Sequence, residues 1–292
     1  MKKYIYKKSD AFTAGLSLGN PAACIYTGGD SLSDEEMLNI AKQHKGFVSE
    51  VVFCASSDKS DCKLTYYSSE CEVDFCGHGT IAAMYEFLKN NETLRYKKEI
   101  SFETNKKGIL HLYNEIEEED AVYIAAPEPT RNKVNVTAAE ISNAIGVEES
   151  VLTDHYPLAL INAGLCTLIV PIASFQCEID IFPCEERLKE FCLINEIDII
   201  LIFCMDTKNT EFIAHTRVFA PKFGYLEDPA TGSGNSAFGY YMYENKLWDG
   251  TPVALEQGGN DRIYNIIKLK MKDNKVLFGG RASLRIDGYY II

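Results

Sequence analysis

The chain has 292 residues, 46% hydrophobic and 24% charged, which is enough material for two packed domains of ordinary globular composition. Twenty-nine basic against 42 acidic side chains leave a net charge of −13, the wrong sign for a surface that neutralises phosphates, so nucleic acid and anionic membranes are excluded as expected partners. The longest apolar runs, such as 197–205 with Asp198 inside it, fall well short of the ~20 residues that a membrane span needs.

The segment 1–8 returns to lysine before an apolar stretch can form, so it does not read as a secretion signal and a cytoplasmic location is expected. Short runs rich in Val, Ile, Tyr and Phe at 3–7, 22–26, 48–54, 63–67, 109–113 and 121–125 predict strands, several of them alternating. Ser33 and Glu36 stand at capping-box spacing and open a helix through Met37, Ile40, Ala41 and His44 that Gly46 closes. Buried helices are predicted over 80–88 and 236–243, and a further helix over 185–194. The acidic segment 115–120 reads as a solvated turn. A second box, Thr137 with Glu140, starts a helix through Ile141, Ala144 and Ile145 that stops at Gly146. The stretch 279–286 reads as a last strand pair, and the whole as a mixed α/β (α+β) fold.

Ten cysteines are spread through mostly apolar segments with no C-x-x-C pair, so they are expected to be buried and reduced. The five histidines show no paired ligand spacing with them, so zinc is disfavoured and no metal is expected.

Self-similarity carries more information than any single motif. Residues 76–85 align with 231–240 at an offset of 155, sharing both glycines, an alanine and a tyrosine, and 52–54 align with 202–204 at an offset of 150. Two related halves follow. In each, a G-x-G precedes a run of small and apolar residues, where free amides and the positive helix end form an anion site. Two such ends facing each other across an interdomain cleft would grip a carboxylate; as helix-starting turns alone they would bind nothing.

The stretches Phe12-Thr13, Gly19-Asn20-Pro21-Ala22, Ser49-Glu50-Val51-Val52-Phe53, Phe75-Cys76-Gly77-His78, Arg217-Val-Phe-Ala-Pro221 and Glu227-Asp-Pro-Ala-Thr-Gly-Ser233 run in order along nearly the whole chain. In these it resembles the PhzF family of phenazine-biosynthesis-like proteins, within the diaminopimelate epimerase-like fold. The resemblance implies two similar domains, 1–126 and 127–279, with 280–292 returning to the first. Each would be a sheet curled around a central helix, with a cofactor-free active site in the interdomain cleft of a homodimer's protomer. It places Glu50 on the family's acid/base glutamate, which takes a proton from one carbon and returns it to another. His78 and Asp228 fall on polar residues lining the site, and Gly77, Gly232 and Ser233 on loops that receive the substrate's carboxylate. Gly79, Thr231 and Cys76 complete the expected substrate-binding set.

The residues can also be weighed on their own terms. Glu50 is a lone carboxylate within the apolar stretch 47–54, where desolvation is expected to raise its pKa. Alternation would put it on a face with Val48 and Val52, away from Ser49; the alternative is a solvent-facing glutamate on an edge strand. For His78 the alternative is a local cap, and for Asp228, which precedes Pro229, an ordinary N-terminal cap of the next helix. Glu227 is expected to face solvent.

The string Cys76-Gly-His-Gly79 departs from the family, whose members commonly carry a small residue before Gly-His and a proline after it. It is similar to the first motif of the proline racemase and hydroxyproline dehydratase branch, where the cysteine is a base. A thiolate at a helix start would have a lowered pKa. The counterpart of Cys76 is Thr231, so a two-cysteine racemase is not expected, and a one-cysteine dehydratase stays as the rival. Cys76 as a small buried filler, and the whole chain as a non-catalytic small-molecule-binding protein, are the remaining readings. The leading expectation is a cofactor-independent isomerase acting on a small carboxylate-bearing substrate.

Overall fold

A computed structural model describes residues 1–259 and 263–292. The chain divides into two units, Met1–Ile124 with Gly279–Ile292, and Ala125–Phe278. Among the described residues no helix is long and apolar enough to cross a membrane.

In the first unit, β1 (Lys3–Ala11) and β2 (Asn20–Gly28) form an antiparallel pair. The chain then enters α1 (Asp34–Gln43) through the capping box, with the Ser33 hydroxyl accepting from the Glu36 amide and the Ser33 amide donating to Glu36. It returns as β3 (Glu50–Ala55), parallel to β2, and continues into β4 (Cys62–Ser68) and the short β5 (Glu72–Val73). Helix α2 (Gly77–Lys89) follows, then β6 (Glu99–Thr104), β7 (Gly108–Glu115), the single-turn α3 (Ile116–Glu119) and β8 (Ala121–Ala125). The C-terminal strand Ala282–Ile291 lies antiparallel against β1, so the sheet runs C-terminal strand, β1, β2, β3, β4, β6, β7, β8. On one face, Met37, Ile40 and Ala41 of α1 pack on Tyr4, Ile25, Val51, Phe53 and Tyr67. On the other lies α2, whose Ile81, Ala82, Ala83, Met84, Tyr85 and Leu88 are all buried, as a helix surrounded by sheet must be.

In the second unit, β9 (Thr130–Asn132) is followed by α4 (Ala138–Ile145), started by the Thr137/Glu140 box and ended by Gly146 at φ 81°, a left-handed conformation that glycine adopts without strain. Then come β10 (Ala159–Asn162), β11 (Cys166–Pro171), the short α5 (Phe175–Ile179), α6 (Glu185–Ile194), β12 (Ile199–Cys204), β13 (His215–Phe219) and β14 (Glu227–Asp228). Helix α7 (Gly232–Glu244) leads to β15 (Val253–Gln257), β16 (Asn265–Lys272) and β17 (Lys275–Gly280). The pairings order β9, β10, β11, β12, β13, β15 and β16 into one sheet. Helices α4 and α6 cover its outer face through Ile141, Ile145, Leu188 and Cys192, against Leu168, Val170, Ile200, Ile202 and Phe219.

The halves repeat element by element. Parallel β2 and β3 flank α1 as parallel β11 and β12 flank α6, and β4 is parallel to β6 across α2 as β13 is parallel to β15 across α7. The fold is thus mixed α/β with two similar halves, each a sheet around a central helix. The sequence alignment of 52–54 with 202–204 is nevertheless one residue out of register. Val51 and Phe53 pack on the α1 side and Ile200 and Ile202 on the α6 side, which makes the offset 149. Because strand side chains alternate, a slip of one exchanges the two faces.

The segment 115–120 is not a plain solvated turn. Its residues 116–119 form α3, and the hydroxyls of Tyr123 and Tyr85 donate to the carboxylates of Glu119 and Asp120. Seven of the ten free cysteines are buried; Cys71 and Cys184 are exposed and Cys177 is half-buried.

Candidate active site

The start of α2 gathers three reactive side chains. Cys76 is the N-cap, in extended backbone, and its Sγ accepts from the Gly79 amide at 3.3 Å. His78, in the first turn, lies with Nδ1 3.5 Å and Nε2 3.9 Å from that sulfur. Glu50, the first residue of β3, brings Oε2 to 3.3 Å from His78 Nε2. The side chains of His78 and Glu50 keep only 14% and 20% of their accessible surface, so the pair is largely desolvated yet reachable. The hydroxyl of Ser49 is also 3.3 Å from His78 Nε2. The first residue of β3 and the α2 cap hold this group together.

Alternation does place Glu50 with Val52, which packs against the α2 start, where a β-carbon on Gly79 would sit 2.9 Å from Val52 Cγ2. Val48 instead joins the α1-side core, because the strand begins only at Glu50 and the preceding bend resets the pattern. That bend is also why Ser49 reaches His78, a contact that extrapolated alternation forbids. The adjacency of a hydroxyl to the acid in Ser49-Glu50 was the available signal.

The electrostatics correct two expectations. Burial pushes the Glu50 carboxyl up, but the His78 imidazole, with Ser49 and Cys76, more than offsets it, and the net pKa is lowered. Burial pushes His78 down, but Cys76 and Glu50 outweigh it and its pKa rises well above the ordinary value. Both shifts favour a carboxylate beside an imidazolium. Burial raises the Cys76 thiol, with the Glu50 charge adding to it against the opposing pull of His78 and the Gly79 amide. The lowering expected at a helix start is outweighed by desolvation, which favours the thiol.

The start of α7 is built from different chemistry. Thr231 caps it, but its hydroxyl donates to Asp228 Oδ2 at 2.6 Å and makes no bond to the helix. Gln257, fully buried on β15, accepts from the Thr231 amide at 2.9 Å and from Asn235 Nδ2 at 2.6 Å, and donates to the Asp228 carbonyl at 2.8 Å. Asp228 is therefore held through Thr231 and does not cap α7 itself. Sequence reasoning missed Gln257 and Asn235, since a glutamine 26 residues beyond Thr231 carries no local signature. Gly232 and Ser233 open the helix, and a β-carbon on Gly232 would lie 2.3 Å from Phe278 Cε2, so the ring's close approach requires glycine there.

Glu227 does not simply face solvent. It receives Arg217 in a bidentate pair at 2.9 and 2.8 Å, and Arg217, 1% exposed, also donates to the carbonyls of Glu178 and Ile181 at 2.7 Å each. Of the expected site residues, the α2 start unites Glu50, Cys76, Gly77, His78 and Gly79, and the α7 start unites Asp228, Thr231, Gly232 and Ser233. Gly79 gives its amide to the cap sulfur, so room for the close packing is what it contributes. The spacing of cysteines and histidines suggested no metal-binding group; the fold nevertheless draws Glu50, Cys76 and His78 together from a strand and a helix start.

A family model described as phenazine biosynthesis-like protein, PhzC-PhzF, matches residues 9–288. Among curated proteins, the chain is 28% identical over 253 residues to an uncharacterized isomerase of Clostridium acetobutylicum, covering 85% of this chain and 82% of that one. It is 27% identical over 292 residues to the uncharacterized isomerase YfhB of Bacillus subtilis, covering 99% and 96%. Among solved structures, a PhzF-family phenazine biosynthesis protein of Bacillus anthracis superposes with a TM-score of 0.87 at 25% identity over 100% of both chains. A hydroxyproline epimerase of Agrobacterium vitis superposes at 0.59 with 11% identity, covering 99% of this chain and 91% of that one, a likeness of fold alone. With the family model spanning nearly the full length, the chain belongs to the PhzF family of phenazine biosynthesis-like proteins.

Proposed function

We propose that this chain is a cofactor-independent isomerase that removes a proton from one carbon of a small carboxylate-bearing substrate and returns it to another, with Glu50 as the shuttle. The observation that carries the reading is the desolvated Glu50–His78 pair, 3.3 Å apart at the start of α2. A carboxylate held ionised at neutral pH begins the cycle as a base, and the imidazolium beside it stabilises the negative charge that appears as the proton leaves carbon. Protonated Glu50 then serves as the acid that returns the proton. The amides of Gly77 and His78 precede the first intrahelical bond of α2 and suit a substrate carboxylate, and Gly232 and Ser233 offer the same chemistry at α7. At α7 the Asp228 carboxylate is steadied by the Thr231 hydroxyl. The curated relatives named as isomerases support the reaction class.

The rival, with Cys76 as base, draws no support from the site, because the thiol is raised by burial and its sulfur is engaged by Gly79. Solvent deuterium incorporation in D2O, read by mass spectrometry, separates the readings. Dihydro-hydroxyanthranilate, proline, hydroxyprolines and diaminopimelate would be offered to wild type, Glu50→Gln and Cys76→Ser. Exchange lost in Glu50→Gln and kept in Cys76→Ser is expected. The opposite ranking would transfer the chemistry to the thiol, and tight binding without exchange would make the chain a binding protein.

A further inference from the structure

We propose that Glu50, Cys76 and His78 form a thiophilic divalent-metal site, which Zn2+ occupies with the carboxylate, the thiolate and an imidazole nitrogen as its three protein ligands. Among the described residues these three offer donor atoms that all lie within 4.8 Å of one another. The two donor separations measured from His78 Nε2 are close to the edges of a metal polyhedron. Zinc bonds of about 2.3 Å to sulfur and about 2.0–2.2 Å to nitrogen and oxygen, at tetrahedral angles, give N···O edges of about 3.3 Å and N···S edges of about 3.6 Å. Glu50 Oε2 and His78 Nε2 are 3.3 Å apart, and that nitrogen is 3.9 Å from Cys76 Sγ.

Two further observations point to a ligand. Glu50 Oε2 is shielded from solvent and meets no donor in hydrogen-bond geometry, its contact being the charge pair with His78 Nε2 at 3.3 Å, so a lone pair stays available to the cluster. The donors also sit on rigid elements, the first residue of β3 and the capped first turn of α2, so their convergence survives without metal. The thiolate in the set selects Zn2+ over Mg2+ or Ca2+, and three protein ligands leave a fourth position open. On binding, the thiol proton and the proton on the ligating imidazole nitrogen leave to solvent, so affinity rises with pH. The metal engages the Glu50 lone pair, so the loaded form lacks a free base. The site itself does not depend on Glu50 being a proton shuttle; only this consequence for turnover rests on the isomerase reading.

The test is a Co2+ titration of the reduced full chain in a Cys71→Ser/Cys184→Ser background, which removes the two exposed thiols. Expected are one Co2+ per chain, a near-ultraviolet sulfur-to-cobalt charge-transfer band, intense visible bands of tetrahedral cobalt, and loss of both on adding Zn2+. In Cys76→Ser the charge-transfer band disappears while the metal-free thermal melt stays near that of the background. In Glu50→Gln and in His78→Gln, Zn2+ affinity falls at least tenfold. Absence of the charge-transfer band, or its persistence in Cys76→Ser, overturns the site. If Cys76→Ser fails to fold, the His78→Gln and Glu50→Gln affinities decide, and unchanged binding in both overturns it. These readouts need no substrate, so their failure is distinct from failure of the deuterium-exchange experiment.

Discussion

Glu50 and Ile199 are structural counterparts: each opens the strand parallel to its predecessor, and each turns its side chain toward the start of its own unit's central helix. Glu50 meets His78, whereas Ile199 Cδ1 lies 3.2 Å from where a β-carbon on Gly234 would stand. One repeat thus carries a carboxylate where the other carries a hydrocarbon. The same division separates Cys76 and His78 from Thr231 and Ser233, so the duplicated framework holds two chemically different helix starts.

Replacing His78 by Asn is expected to raise the Glu50 pKa, because burial is then opposed only by the weaker contributions of Ser49 and Cys76. In the wild type the lowered carboxyl contributes stability above its unfolded pKa, and this is lost as pH falls through the folded value. The raised imidazole contributes stability below its unfolded pKa, and this is lost as pH rises through its raised folded value. The pair therefore supports the fold across the window between the two folded values, neutral pH included. Carbon-13 NMR titration of labelled glutamate carboxyls measures the shift directly; a Glu50 titration that stays put in His78→Asn would contradict the pairing.

The sulfur cap predicts an asymmetry between two small substitutions. Serine accepts from the Gly79 amide as Cys76 does, so Cys76→Ser should melt within about 0.5 kcal/mol of wild type, whereas Cys76→Ala should lose about 1 kcal/mol. Denaturant melts of the two variants check the order. Equal loss in both would mean that packing, not capping, is what the thiol supplies.

Arg217 is buried with Glu227 as its carboxylate partner, so Glu227→Ala should cost about 3 kcal/mol by leaving a guanidinium without its counter-charge. Urea unfolding of that variant, against an exposed control such as Glu211→Ala, measures the difference. A loss no larger than the control's would show that the carbonyls of Glu178 and Ile181 suffice.

A methyl group at residue 79 has nowhere to go. Gly79→Ala would set its β-carbon 2.9 Å from Val52 Cγ2 and 3.0 Å from Cys76 Sγ, and about 1–3 kcal/mol of destabilisation is expected. Trimming the neighbour in the double variant with Val52→Ala should recover part of it, which thermal melts of the single and double variants would reveal.

What was legible in the sequence was what is local. Both capping boxes form because their donors and acceptors lie three residues apart, and α6 keeps the bounds its pattern predicts. The central helices begin three and four residues earlier than their apolar runs, since glycines in the first turn mask helical periodicity. The acid and the histidine were found through motif positions, but their mutual charge state was hidden, because it depends on a contact between residues 28 apart. Gln257, the Arg217–Glu227 pair and the register slip in the repeat all arise from tertiary packing, for which neither spacing nor composition leaves a trace.

The pairing of Ala282–Ile291 with β1 bears on the order in which a growing chain can fold. Unit 2 is one uninterrupted stretch and its residues have all been made before those of the C-terminal strand. Unit 1 begins earlier but waits for that strand to cover β1. During synthesis the second half can close first while the first half, with its acid and histidine, holds an open sheet edge, and that edge is the point at which chaperones or misassembly would act.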